Sequence, residues 1–180
     1  MASKVKVDQL ETLDGTGTIA LQNQLSGMTT ASLPTLTSAE MPTGSVLQVV
    51  SATLQDEAST TSGSFVAAFT ATITPSSASN KVLVTMHTAI EATSGNAVST
   101  VFRGGVSDTN LGGNLYGYGY TNAKPTTLSG EELDSPNTTS AQTYTVGIRN
   151  DAGGTTNICM GSGTNSNTSR STLTLMEIKG

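Results

Sequence analysis

Three acidic residues, Glu131, Glu132 and Asp134, are the first group in this sequence with types and spacing that could carry chemistry. Paired carboxylates act as general acid and base in glycoside hydrolysis. Neighbouring residues of a strand point to opposite faces, so a strand would not direct Glu131 and Glu132 at one substrate. We interpret the group as part of a solvated acidic loop over residues 121–137. A hydrolase is therefore the least supported class of function.

The sequence lacks residues that other catalytic or metal-binding sites require. His87 is the only histidine, so a histidine metal cluster is excluded, and its place in an apolar-alternating segment predicts a polar residue on a solvated face. Asp108 and Asn110 offer alternating oxygen ligands without the glycine and distal glutamate of a calcium loop. Cys159 is the only cysteine, which excludes a disulfide within the chain and suggests a small buried residue. We expect no enzymatic activity, no cofactor and no metal site.

Tyrosines alternate with glycines at Tyr116, Tyr118 and Tyr120. In an extended segment the three rings lie on one face, and glycine on the other face permits close approach of another backbone. Such rings suit sugar stacking or protein contacts. Two interpretations stay open: a receptor site, with Arg103 as a further candidate, or packing at a subunit interface, which we favour.

Period-two alternation gives the elements that would position these residues. Over residues 64–74 the side chains of Phe65, Ala67, Phe69, Ala71 and Ile73 share one face, and over residues 81–90 those of Val82, Val84, Met86 and Ile90 do so. The intervening turn residues 75–80 join the two as antiparallel strands. The pattern predicts strands over residues 46–54, 64–74, 81–90, 97–103, 115–120, 141–149, 155–160 and 171–178. We therefore predict an all-β protein, an antiparallel, jelly-roll-like sandwich.

The composition indicates a thin core. The chain has 180 residues, of which 22 are serine and 32 threonine, while only 4% are aromatic and 12% charged. Hydroxyl-rich strands of low charge are typical of extracellular and virion surfaces. Because few large apolar side chains are present, and no disulfide is possible, we expect oligomerisation to supply stability.

Charge and hydropathy exclude several partners. The formal net charge is −5 and the eight basic residues are scattered along the chain, which argues against nucleic-acid binding. No apolar run is long enough to span a bilayer, so we expect no membrane insertion. The first residues lack the apolar core of a signal peptide, from which we expect synthesis in a cytoplasm without use of the ordinary secretory route.

The chain divides into three segments by pattern. Residues 1–24 predict an extended arm or hairpin, with a turn at Asp14-Gly15. Such a unit is marginal alone, so its apolar residues are expected to make docking or intertwining contacts. These residues are Val5, Val7, Leu10, Leu13, Ile19 and Leu21. The pattern predicts an extended linker over residues 25–41 and the β-sandwich domain over residues 42–180.

The sequence resembles fibre-like virion proteins of tailed bacteriophages, especially marine and cyanobacterial ones. The opening, Lys4-Val-Lys-Val-Asp8, is similar to the Lys-x-Val-Asp start of that group, and it is followed by an Asp14-Gly-Thr16 turn. The order of later Ser/Thr/Pro-rich blocks is also similar. The blocks are residues 3–21, 41–50, 72–77, 80–84, 134–139 and 171–179. The resemblance covers nearly the whole chain and implies a homotrimer, docked to the particle by its N-terminal segment. The sequence of the chain shows no shaft repeat of a long fibre between residues 25 and 42.

Three hypotheses follow. The leading one is a non-enzymatic phage virion surface protein, a short fibre of tail or head that docks to capsid or tail proteins through the arm. Its trimeric β-domain would attach to a host surface glycan or protein. The alternative is a capsid decoration protein that stabilises the head. A cellular carbohydrate-binding module is a further alternative, although it would normally carry a signal peptide and more aromatic residues.

Overall fold

A computed structural model describes residues 37–112, 120–122, 125–159 and 169–180. Eleven strands and no helix occur among these residues. The strands are β1 (Val46–Leu54), β2 (Ala58–Thr60), β3 (Val66–Ile73), β4 (Lys81–Ala92), β5 (Asn96–Arg103), β6 (Thr109–Asn110), β7 (Tyr120–Asn122), β8 (Thr126–Asp134), β9 (Gln142–Asn150), β10 (Thr156–Ile158) and β11 (Ser171–Ile178). No helix long and apolar enough to cross a membrane is found in this part of the chain.

Three pairs of these strands are pieces of longer, interrupted strands. β10 and β11 pair with the same edge of β4, and β6 and β7 pair with the same edge of β5. β1 and β2 in turn follow the outer edge of β11 and β10. Counting each interrupted strand once gives eight antiparallel strands in two sheets.

The order of these eight strands is that of a jelly roll. Sheet A runs β1/β2, β11/β10, β4, β8, and sheet B runs β3, β9, β5, β6/β7. In chain order the sheets therefore read 1-8-3-6 and 2-7-4-5, the arrangement of two interleaved Greek keys. The predicted antiparallel sandwich is confirmed.

The core lies between the two sheets and consists of two clusters. The larger one joins β4 and β11 of sheet A to β3, β5 and β9 of sheet B, with Val84, Met86, Tyr144, Val146 and Leu175 fully buried. The smaller one fills the opposite end around Ile90, Ile148 and Ile158. The buried alternation on β4 is the one predicted from residues 81–90.

Three sequence predictions need correction. Residues 126–134 form an edge strand, β8, where a loop over residues 121–137 was expected. In β3 a bulge between Ala67 and Phe69 shifts the register, so Ala67 is exposed although Phe69, Ala71 and Ile73 turn to the core. The extra residue breaks the single face predicted for residues 65–73. The short strands β2 and β6 were not predicted.

Both ends of the described domain lie at one pole of the sandwich, which we call the base. The Gly44 amide donates to the Lys179 carbonyl (2.8 Å), and the Lys179 amide donates to the Ser45 carbonyl (2.9 Å). The Lys179 ammonium also donates to the carbonyls of Ala39 and Met41. β4 starts beside this point, at Lys81, and carries the chain about 36 Å to the far pole, at 3.3 Å per residue.

Candidate functional surface

A buried carboxylate organises the base. Glu177 is 1% exposed, and its Oε1 accepts hydrogen bonds from the Ser76 amide (2.7 Å), the Ser76 hydroxyl (2.8 Å) and Asn80 Nδ2 (2.5 Å). Its Oε2 accepts one from Gln48 Nε2 (2.6 Å). Burial alone would raise the pKa of Glu177, but these hydrogen bonds outweigh it and hold the pKa below its ordinary value. The cluster ties β11 to β1 and to the turn before β4.

A second buried carboxylate, that of Asp134, links the two sheets. Arg103 Nη1 on β5 lies 2.9 and 3.1 Å from the two Asp134 oxygens at the end of β8, and it also donates to the Ser135 carbonyl. The hydroxyl of Tyr144 on β9 donates to Asp134 Oδ2 (2.7 Å). Burial and this bond to the carboxylate raise the pKa of Tyr144, so the phenol stays protonated and acts as a donor.

The outer face of sheet B is covered by the chain's own segments. The Phe65 ring packs edge-on against Phe102, with centroids 5.2 Å apart, and the Arg149 guanidinium lies 5.1 Å from the Phe65 centroid. Phe102 is 4% exposed, and Thr145 on the same face donates to the Gly104 carbonyl. This face offers little uncovered apolar area.

The outer face of sheet A, in contrast, carries a row of apolar side chains across all four strands. Cross-strand pairing places Val49 of β1 beside Met176 of β11, Met176 beside Leu83 of β4, and Leu83 beside Leu133 of β8. Val49 is 57% and Leu133 46% exposed. We call these four residues the apolar row. It runs about 14 Å, at three strand spacings of about 4.8 Å.

Polar side chains flank the apolar row on the side away from the base. Two residues further from the base along each strand, the solvent-facing side chains are those of Ser51, Thr174, Thr85 and Glu131, which pair across the strands. Two residues further again they are those of Thr53, Thr172, His87 and Ser129. We call each such set of paired residues a level. The hydroxyls of Ser51 and Thr174 lie 3.2 Å apart, as do His87 Nδ1 and the Ser129 hydroxyl. His87 is exposed, as its position in the alternation predicts.

The other candidate residues are placed as follows. Glu131 and Glu132 are exposed neighbours on β8 and leave opposite sides of that strand. The Asp108 carboxylate accepts from the Gly105 amide (2.7 Å), and Asn110 Oδ1 accepts from the Thr100 hydroxyl (2.7 Å). Among the described residues no three His, Cys, Asp or Glu side chains cluster as metal ligands would.

Cys159 follows β10 and is buried, as the sequence predicts. Its backbone has a φ of 58°, and its thiol donates to the Leu54 carbonyl (3.2 Å) and contacts the Ser171 hydroxyl. These contacts link Cys159 to the last residue of β1 and to the first residue of β11.

The structure tests the predicted binding residues only in part. Tyr116, Tyr118 and the arm residues Val5, Val7, Leu10, Leu13, Ile19 and Leu21 lie outside the described residues. Tyr120 pairs with Val98, whereas Arg103 pairs with Thr109, five residues further along β5. The backbones of Tyr120 and Arg103 are therefore about 16 Å apart along the strand direction. Arg103 is directed at Asp134, and its side chain is 28% exposed.

Sequence reasoning missed the Glu177 cluster and the apolar row. Each had a signal. Glu177 occupies the apolar face of an alternating strand, after Leu173 and Leu175, where an acid must find partners. Leu83 and Met176 stand on the more polar faces of their strands, which is the pattern of an exposed apolar patch.

The described side chains form a rigid sandwich with one uncovered sheet face. Both buried carboxylates already accept several hydrogen bonds, and the ion pair of Arg103 with Asp134 is saturated by Tyr144. What this arrangement offers a partner is a flat, mostly uncharged face with an apolar row and many hydroxyls, a surface suited to protein contacts.

Comparison with known proteins gives only weak likenesses to solved structures. No protein-family model matches the chain, and no curated protein sequence matches it. Among solved structures the chain is similar to the infectious bursal disease virus VP2 subviral particle, at 13% identity and a TM-score of 0.38, over 74% of this chain and 38% of that one. A structure of the Gx strain of the same virus is similar at 12% identity and a TM-score of 0.35, over 75% of this chain and 37% of that one. The chain thus spans less than two-fifths of their length, and likeness at this level carries no argument about function.

Proposed function

We propose that this chain is a non-enzymatic surface protein of a tailed-phage virion, a short fibre of tail or head. Its residues 1–24 dock to capsid or tail proteins, and its β-domain, as a homotrimer, attaches to a host surface glycan or protein. The observation that carries the proposal is the position of the N-terminal end of the described domain. Residues 37–45 are hydrogen-bonded to the end of β11 at the base, so the residues before Thr37 join the domain at one pole.

The opposite pole carries turns that are held together by side-chain hydrogen bonds. The turn between β4 and β5 is locked to the turn after β9: Asn150 Nδ2 donates to the Ser94 carbonyl, and Asn150 Oδ1 accepts from the amides of Ala152 and Gly154. These turns lie about 36 Å from the base along β4. A domain attached at one pole and ordered at the other suits a surface protein.

Two sequence features also support the proposal. The ordered blocks shared with phage fibre-like proteins run from the arm to β11, and the jelly roll agrees with the β-domain that this resemblance implies. A low content of large apolar residues favours association of copies over a lone domain.

Particle incorporation tests the docking arm. Deletion of residues 2–24 should abolish incorporation into purified particles while the circular dichroism and thermal unfolding of the β-domain persist. As a matched pair, Val5→Asp with Val7→Asp should reduce incorporation, and Lys4→Gln with Lys6→Gln, at the alternate positions, should not. A truncated protein that still copurifies with particles would refute docking through the arm.

Copy number distinguishes the fibre from the decoration protein. Quantitative mass spectrometry of purified particles gives the ratio of this chain to the major capsid protein. A small ratio, of the order of a tail component, supports a fibre. A ratio near that of the capsid protein would replace the fibre by a decoration protein that stabilises the head.

A further inference from the structure

The apolar row contains Val49 and Leu133, two of the four large hydrophobic residues that are exposed among the described residues. Val46 and Ile178, one level closer to the base, extend it, and Val46 is 49% exposed. Six apolar side chains thus form one continuous zone on the base half of sheet A. Soluble chains rarely leave such a zone to solvent unless it meets a partner.

The asymmetry between the two sheets indicates where that partner lies. The outer face of sheet B is packed by Phe65 and by the segment after β5, whereas sheet A has no such cover among the described residues. The pairing of β4 with β11 and with β8 is also regular over this zone, so this part of the face is pre-formed and loses little entropy when it is covered.

The area of this face fits contact with a whole domain. Four strands span about 19 Å, and the levels from Lys81 to Ala89 span about 26 Å, which is roughly 500 Å² of projected area per copy. Two copies would then cover about 1,000 Å², the lower bound for a specific protein–protein interface. A short peptide would fill only part of it.

The charges of the face favour a second copy of this chain over an acidic partner. The chain carries a net charge of −5, which repels phosphate-bearing surfaces. Between the levels of Lys81 and Ala89, the outward-facing described residues with a full charge are Lys81 and Glu131, one of each sign. The face is therefore close to neutral, so a second copy meets little charge repulsion there.

We infer that the apolar row is the contact through which neighbouring copies of this chain associate. The inference rests on the proposed virion function, because it assigns the face that builds the proposed trimer. The row lies on the base half of sheet A, so copies that touch through it with their strands parallel bring their Thr37 residues close together.

Thiol protection in the full-length protein tests this contact. Val49→Cys and Val66→Cys place a thiol at exposed valines of sheet A and sheet B, 57% and 42% exposed in the single chain, while Cys159 is buried. In concentrated solution we expect the thiol of Val49→Cys to be alkylated at least about tenfold more slowly than that of Val66→Cys. Dilution below the dissociation constant should restore its rate. Equal or faster alkylation of Val49→Cys at high concentration would overturn the inference.

A second pair of variants tests the energetics. Leu133→Lys should weaken self-association at least about 100-fold in analytical ultracentrifugation, because the contact would bury an unpaired ammonium, and Val66→Lys should leave it unchanged. Protection of Val49→Cys in a monomeric, concentration-independent sample would also overturn the inference, since the chain's own residues 1–36 would then be the cover. Particle incorporation is measured separately: a chain that associates through the row yet is absent from virions refutes the proposed function and leaves the contact standing.

Discussion

Replacement of the buried Glu177 by glutamine tests whether the base is held by a charged acceptor. The variant Glu177→Gln keeps the shape of the side chain and one carbonyl oxygen. That oxygen can still accept from the Ser76 amide, the Ser76 hydroxyl and Asn80 Nδ2, which all meet Oε1 in the native cluster. The new amide nitrogen, however, replaces Oε2 and faces the Nε2 donor of Gln48 at the 2.6 Å contact.

The loss of stability follows from these contacts. An unsatisfied buried donor costs about 1–3 kcal/mol, and a hydrogen bond to a neutral acceptor is weaker than one to a charged acceptor by about 1 kcal/mol. Relief from burying a charge offsets part of the sum. We expect Glu177→Gln to lower the free energy of unfolding by about 3 kcal/mol at neutral pH, or roughly 6–12 °C in melting temperature for a chain of this size.

The pH dependence separates this mechanism from simple loss of packing. Because the folded pKa of Glu177 is depressed, its contribution is fully present above the unfolded carboxyl pKa of about 4.3 and is lost as the pH falls through the folded pKa. The difference in unfolding free energy between wild type and Glu177→Gln should therefore be constant at neutral pH and shrink in acid.

Urea denaturation at a series of pH values measures both effects. Glu131→Gln, an exposed glutamate on β8, is the control and should change stability by less than about 0.5 kcal/mol. A Glu177→Gln variant as stable as wild type at neutral pH, or a deficit that does not shrink in acid, would refute the reasoning.

Two further predictions concern the sheet link and the tyrosines. Tyr144→Phe removes the 2.7 Å donor to the buried Asp134 carboxylate and should lower the unfolding free energy by about 1–3 kcal/mol in urea, without altering the far-UV spectrum; an unchanged midpoint would mean that water replaces the phenol. Alanine at Tyr116, Tyr118 and Tyr120 together distinguishes the two interpretations of these rings. Interface packing, which we favour, predicts dissociation of the trimer in ultracentrifugation, whereas a receptor site predicts weaker adsorption of particles to host cells with the trimer intact.

Much of the fold was predictable because alternation is strong where one face is buried. Residues 81–90 alternate cleanly, and every predicted inward residue of that segment is buried in β4. β8 was missed because an edge strand of sheet A has few inward apolar residues: Leu128 packs on the core, while Asp134 turns inwards as an ion-pair partner. The composition of the outward residues of β8 is typical of a solvated loop.

The candidate surface was less predictable because it depends on register. No single strand shows that Val49, Met176, Leu83 and Leu133 are neighbours, since they come from strands far apart in sequence. The bulge in β3 also has no local signal: Ala67 and Ala68 are equally small and apolar, and only pairing with β9 decides which one turns outward. Long-range pairing, not residue type, fixes both features.

The interrupted strands give this scaffold room for variation. Ile158 pairs with Ile90 and Thr172 pairs with His87, so the chain advances fourteen residues while its partner β4 advances three. Each flanking piece is held by its own ladder, and Cys159 anchors the exit through its amide to the Ala89 carbonyl.

The other interruption, between β6 and β7, has the same design on β5. Because each flanking piece is held by its own ladder, the register on either side of an interruption does not depend on the number of residues between the pieces. The entropy of closing a connection grows only slowly with its length, so an added residue there costs little. The interruption between β10 and β11, which holds none of the candidate binding residues, is therefore the better point for the genetic insertion of a foreign peptide.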